Sequence, residues 1–247
     1  MKRLNWEFKL GILLIASSAL LYFIQYVIFK DAYTIFVYLL GSIAFLPLQV
    51  FLVTVIINKL LGEREKQARL EKLNMVVGAF FSEVGTKLLT YFSDFDPNLD
   101  KISKELVVNN DWTDKEFNTT SVRLKNYDYK VEIKQLGLKD LRSFLVGKRD
   151  FMLRLLENPN LPEHEKFTDL LRAVFHLTEE LESRKELDNL PKPDEEHIAG
   201  DIKRAYVLLV WQWLDYMKYL KRNYPYLFSL AMRTNPFDEK ASPFIGS

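Results

Sequence analysis

The chain has 247 residues, with 34 Lys and Arg against 33 Asp and Glu, and no cysteine. A formal net charge of +1 provides no whole-chain attraction to nucleic acid or acidic partners. The missing cysteines exclude disulfides, thiolate catalysis and Cys-based zinc fingers.

The averages, 48% hydrophobic and 27% charged, match an ordinary globular protein. The distribution does not. Gly11 to Phe29, GILLIASSALLYFIQYVIF, is uncharged, and a helix of roughly 20 apolar residues crosses about 30 Å of hydrocarbon. Lys30 and Asp31 interrupt the run, and Ala32 to Ile57 is a second uncharged stretch. The pattern predicts a transmembrane hairpin over residues 1–58, with spans at about 10–29 and 32–57.

Lys2, Arg3 and Lys9 precede the first span. Lys59, Arg64, Lys66, Arg69 and Lys72 follow the second, with only Lys30 between. Basic residues stay inside, so both termini are expected in the cytoplasm of a cell bounded by this plasma (inner) membrane. A cleaved signal peptide is the rival reading, with Ser17 to Ala19 as its cleavage site. The apolar run continues well past it and a second span follows, which favours a span.

Gly11, Ser18 and Gln25 recur every seventh residue and share one face of the first span. Gly41, Ser42 and Gln49 share a face of the second. Small and amide side chains suit close helix packing in lipid, within the hairpin or between copies in a homo-oligomer. The alternative is a channel or transporter subunit with a pore lined by Gln25 and Gln49. Neither span carries the charge usual in ion paths, so packing is preferred. Pro47 is expected to kink the second span.

Residues 59–92 read as a helix extending from the second span, with Gly62 its weakest joint. Leu73, Val77, Phe80, Val84, Leu88 and Tyr91 form an amphipathic stripe. A third span here would place Glu83 and Lys87 in lipid, at about 2.5 kcal/mol or more each. They are expected to pair with each other at i,i+4 on a soluble helix instead.

Residues 93–234 read as an all-helical cytoplasmic domain. A short helix is expected near Lys101 to Val107, and Thr113 with Glu116 has capping-box spacing. NYDYKVEIKQLG permits one short strand or a linker. Helices follow over Leu138 to Glu157, from Pro162 to about Glu186, over Asp194 to Arg222 and over Tyr226 to Met232. Residues 235–247 read as a flexible tail. The fold class is all-α: a two-helix transmembrane hairpin continuing into a cytoplasmic helical bundle.

There is no GxxxxGK[ST], GxGxxG or GxSxG motif. Of the three histidines, His176 stands before Glu179 and Glu180, and His197 before Asp201. Such pairs can build a metal site within a bundle, but the di-iron Glu-x-x-His pattern has only one near match, Asp194-x-x-His197. Solvated helix charge is therefore the expectation, with no metal and no cofactor. A metal-dependent enzyme using these residues is a further alternative. The C-terminal aromatic block contains Trp211, Trp213, Tyr216 and Tyr219, with Arg222 among them. Such a stripe packs in a core, rests on a membrane surface or docks a protein. Nucleic acid stacking lacks the positive charge it needs.

KLNMVVGAFFSEVGTKLL and YPYLFSLAMRTNPF resemble blocks found in uncharacterised prokaryotic two-span membrane proteins. That resemblance implies no activity, substrate or cofactor. The expected role is non-enzymatic: a membrane-tethered interaction or sensory module. Its expected partners are the lipid bilayer, further copies of itself and a protein of unknown identity.

Overall fold

The computed structural model describes residues 6–133 and 136–244. Lys2 and Arg3 lie outside the described residues, as do Lys134 and Gln135 of the expected strand or linker and residues 245–247 of the expected tail. The described residues are all-helical, without a strand. The chain divides into two compact units, Met1–Glu65 and Lys66–Ser247.

The first unit is built from α1 (Trp6–Phe29) and the leading part of α2 (Ala32–Phe80). Both helices are long and apolar enough to cross a membrane. Lys30 and Asp31 separate them. Lys30 takes a positive φ of 51°, and its N–H donates to the Tyr26 carbonyl at 2.8 Å. Asp31 then caps α2, accepting from the Thr34 N–H at 3.1 Å and the Thr34 hydroxyl at 2.5 Å. The polar pair read as an interruption is thus one helix's stop and the next one's start. Pro47 stays inside α2, and the helix also passes Gly62 without a break.

The second unit begins within α2 and has a closed core. Leu73, Val77 and Phe80 are the buried positions of α2. The helical path continues through a single π turn (Phe81–Gly85) into α3 (Thr86–Ser93). Short turns at 99–106, including α4 (Ser103–Leu106), lead to α5 (Asp114–Lys125). Thr113 and Glu116 form the expected capping box at its start. Then come α6 (Leu138–Gly147), α7 (Arg149–Leu156), α8 (Glu165–Ser183), α9 (Lys192–Asn223) and α10 (Pro225–Arg233). The α8–α9 pair is the most extensive helix contact; α3, α5 and α10 pack against α9, and α6 and α7 against α8. Leu170, Val174, Leu177 and Leu181 of α8 and Ile198, Ile202, Leu209 and Val210 of α9 are buried. Each such side chain contributes about 1.5–3 kcal/mol by leaving water.

Several expectations are corrected. Glu83 and Lys87 do not pair. Glu83 lies on the π turn, which alters the helical spacing, and meets Lys148 at 2.7 Å. Lys87 instead stands over the Phe144 ring, 4.5 Å from its centroid. The helix expected over Leu138 to Glu157 is two helices, broken at Lys148 after the poor helix former Gly147. Pro162 belongs to a separate 3₁₀ turn, and α8 starts after His164. The expected tail contributes to the core: Asn235 and Phe237 are buried. The Asn235 amide donates to the Leu106 carbonyl at 2.8 Å, and Phe237 meets Trp213 edge-on at 5.0 Å.

Candidate functional site

The described residues hold one close group of histidine and carboxylate side chains. His176 and Glu180 stand one turn apart on α8, and His197 and Asp201 one turn apart on α9. The buried apolar stripes of the two helices press together, which brings these flanking pairs face to face. One ligand-type atom from each of the four residues lies within 4.8 Å of every other. Glu179, the fifth residue singled out by sequence, is exposed and outside the group.

The centre of the group is Asp201, only 3% exposed. The His176 Nε2 and His197 Nε2 atoms lie 3.5 and 3.4 Å from its Oδ2. That oxygen has no hydrogen-bond partner. The other, Oδ1, accepts from Arg204 Nη1 at 2.8 Å. Glu180 is arranged similarly. Its Oε2 accepts from Arg184 Nη1 at 2.6 Å and lies 3.5 Å from His197 Nε2, while Oε1 lies 3.8 Å from His176 Nε2. Arg184 also grips both oxygens of Asp194, at 2.8 and 2.6 Å. Hydrogen bonds from Arg184 hold the Glu180 and Asp194 carboxyls below the ordinary carboxylate range. Glu180 is therefore an anion at neutral pH.

Arg184 and Arg204 were not picked out from sequence. Their signal was available in the i,i+4 spacing of Glu180 and Arg184 and the i,i+3 spacing of Asp201 and Arg204. The third histidine is structural. His164 Nδ1 accepts from the Phe167 N–H at 3.3 Å and caps α8, and burial lowers its pKa.

The aromatic block divides. Trp213 is buried in the core, so it is no surface for a partner or a membrane. Trp211 is half-buried, with its Nε1 enclosed. Tyr216 stacks on Phe81 at 5.3 Å. Tyr219 is half-buried and meets Tyr224 at 5.8 Å; burial pushes its hydroxyl up to about 12. Arg222 is exposed. Tyr216, Tyr219 and Tyr224, with Met75, Leu227 and Leu230, line an open apolar cleft of about 660 Å³.

The span residues expected to pack closely are mostly exposed. Gly11 and Gln25 are half-buried; Ser18, Gly41, Ser42 and Gln49 are exposed. Nothing lies within 4 Å of a Cβ placed on Gly11 or Gly41. The Ser42 hydroxyl turns back to its own helix, donating to the Tyr38 carbonyl at 2.8 Å. Among the described residues, Gly11 and Gly41 thus mediate no close approach.

A second buried polar group surrounds Asp96, in the stretch read from sequence only as a break. Asp96 accepts from the Tyr127 hydroxyl at 2.6 Å and the Asn98 N–H at 3.0 Å. Burial raises its pKa despite these bonds.

Residues 2–61 match a family described as "MJ1433, N-terminal helical domain", and residues 69–233 match "Uncharacterized protein MJ1433, C-terminal helical domain". The chain is 47% identical over 232 residues to "Uncharacterized protein MJ1433" of Methanocaldococcus jannaschii, covering 94% of this chain and 93% of that relative. No solved structure matches.

Proposed function

The chain belongs to the MJ1433 family, and on that premise we propose a membrane-tethered helical module with an interaction or sensory role and no catalysis of its own. α1 and the apolar part of α2 cross the plasma membrane as a hairpin, with both termini in the cytoplasm. The unit from Lys66 onward works there as the responding domain. Copies associate through their spans.

One observation carries the tether. No residue of α1 is buried, nor is any of α2 before Leu73. Ile15 is 73% exposed and Phe29 70%, while Leu39, Leu40, Leu46 and Phe51 are also exposed. A contiguous apolar surface on this scale needs a nonaqueous partner, and both helices have the length to find it in a bilayer. Lys9 before the first span and Lys59 and Arg64 after the second support the cytoplasmic assignment. The open space over Gly11 and Gly41 supports a further helix packing there, supplied by another copy.

A reporter fused to the carboxyl terminus tests the topology. Fluorescence of a cytoplasm-only reporter is expected, and activity of an export-only phosphatase at that end would overturn it. The absence of native cysteine makes the association directly testable. Ser18→Cys and Gln25→Cys should each yield disulfide-linked dimers in membranes. Ala16→Cys, about 160° around the helix from Ser18, should not. Equal crosslinking from all three positions removes the specific face.

A further inference from the structure

We propose that His176, Glu180, His197 and Asp201 form a binding site for one borderline divalent metal ion of the zinc class. This goes beyond the membrane tether and does not depend on it.

The competing explanation is a plain network of charged side chains. Asp201 Oδ2 argues against it. This oxygen belongs to a carboxylate only 3% exposed, yet it accepts no hydrogen bond. Two imidazole Nε2 atoms face it at 3.5 and 3.4 Å, beyond the usual N–H···O spacing. Leaving a buried acceptor unpaired costs about 1–3 kcal/mol, and more for a charged one. A cation between these atoms satisfies the oxygen and both nitrogens together.

The spacings fit that assignment. Ligands about 2.05 Å from a tetrahedral ion stand about 3.3 Å apart. Asp201 Oδ2 lies 3.4 and 3.5 Å from the two Nε2 atoms, and Glu180 Oε1 lies 3.8 Å from His176 Nε2. The widest pair of donor atoms is within 4.8 Å. The histidine side chains, 46% and 52% exposed, have room to turn and close that gap. The surroundings have the form of an outer shell: Arg204 holds Asp201 Oδ1 and Arg184 holds Glu180 Oε2. Each carboxylate is thereby oriented with its other oxygen directed inward.

Two nitrogen donors and two carboxylates, without sulfur, favour zinc, cobalt, iron or manganese over copper(I). Imidazole donors disfavour magnesium and calcium, which take oxygen ligands. Because the donors come in pairs from α8 and α9, the ion links the two central helices of the unit.

The test uses full-length protein in detergent, stripped of metal with a chelator and dialysed. Zinc binding is measured by equilibrium dialysis with elemental analysis, and the site is probed with cobalt(II) by visible absorption. The expected result is one zinc per chain, a tetrahedral cobalt band that zinc abolishes, and no displacement by equimolar magnesium. Both signals should disappear in the His176→Ala, His197→Ala double variant and persist in Glu179→Gln. Arg204→Ala should weaken zinc binding roughly 10–100-fold, as outer-shell losses do. Circular dichroism establishes that each variant remains helical. If the double variant proves misfolded, Glu180→Gln with His176→Gln is the second pair, expected to lose the same signals. Wild-type protein that binds no more zinc than a folded double variant overturns the site. So does equal loss in Glu179→Gln.

Discussion

Residues 6–57 and residues 66–244 spend the same kinds of side chain in opposite ways. In the first region, Ile15, Phe29 and Phe45 all face outward. In the second, Phe80, Leu88 and Phe92 are fully enclosed. The difference lies in where charge is allowed. Gly11 to Phe29 contains none, so α1 has no polar face to set against an apolar one. The helices of the second region alternate charged and apolar positions at helical spacing, and that asymmetry directs one face inward. Apolar content alone does not define a core; polar residues on the opposite face do.

The largest test is truncation of one aromatic in each region. Phe167→Ala should cost about 3–5 kcal/mol in denaturant unfolding of the helical unit, because the cavity closes only partly. Phe45→Ala should change membrane insertion by less than about 1 kcal/mol, since its ring faces lipid in this reading. Similar penalties in both would mean that residues 6–57 form a packed core after all. Next comes inserted charge. Val53→Lys should oppose insertion by about 2.5–3.5 kcal/mol, seen as protein released by alkaline extraction of membranes. Val122→Lys, on the exposed face of α5, should stay within about 0.5 kcal/mol of wild type.

Glycine separates the two compact units, Met1–Glu65 and Lys66–Ser247, on a finer scale. A Cβ on Gly85 would stand 2.6 Å from Phe81 Cδ1 and 2.9 Å from Phe80 Cε1. Gly85→Ala should therefore destabilise the second unit by about 1–3 kcal/mol through overpacking at the π turn. Gly62 has nothing within 4 Å and lies inside a continuous helix. Gly62→Ala should strengthen that helix by roughly 0.5–1 kcal/mol, read as higher helicity near the thermal midpoint. The opposite ordering would place the tight packing in the wrong region.

How much of this was legible follows the range of the interaction involved. The two apolar helices were visible because absence of charge is a local property. The α5 capping box was visible because it needs only Thr113 and Glu116, three residues apart. The π turn was not, since nothing in FSEVG shows that Glu83 will find Lys148 rather than Lys87. The tail was misread for the same reason: Phe237 is buried against Trp213, on a distant helix. The histidine–carboxylate group was half legible. Each i,i+4 pair stands in the sequence, but their meeting depends on the register of α8 against α9. Glu179, next to Glu180, shows the resolution of such reading: one residue's rotation around the helix separates membership from exclusion.

Charge inside the second region gives the smallest and most specific comparison. Residues 11–29 contain no Asp, Glu, Lys, Arg or His, whereas the helical unit encloses Asp96, only 6% exposed. Burial raises the Asp96 pKa, and the bonds from Tyr127 and Asn98 only partly oppose that. The folded state then holds a proton on Asp96 at pH values where the unfolded chain has released it. Stability from this group is fully present below the ordinary aspartate value of about 4, and it is lost as pH rises through the higher folded value. Asp96→Asn keeps an acceptor for Tyr127 and removes the titration. The wild type should gain thermal stability relative to Asp96→Asn as pH is lowered from 7 to about 4.5, with the difference between their melting temperatures tracking the fraction protonated. A difference that stays constant across that range would mean Asp96 titrates alike in both states, and that its hydrogen bonds fully offset its burial.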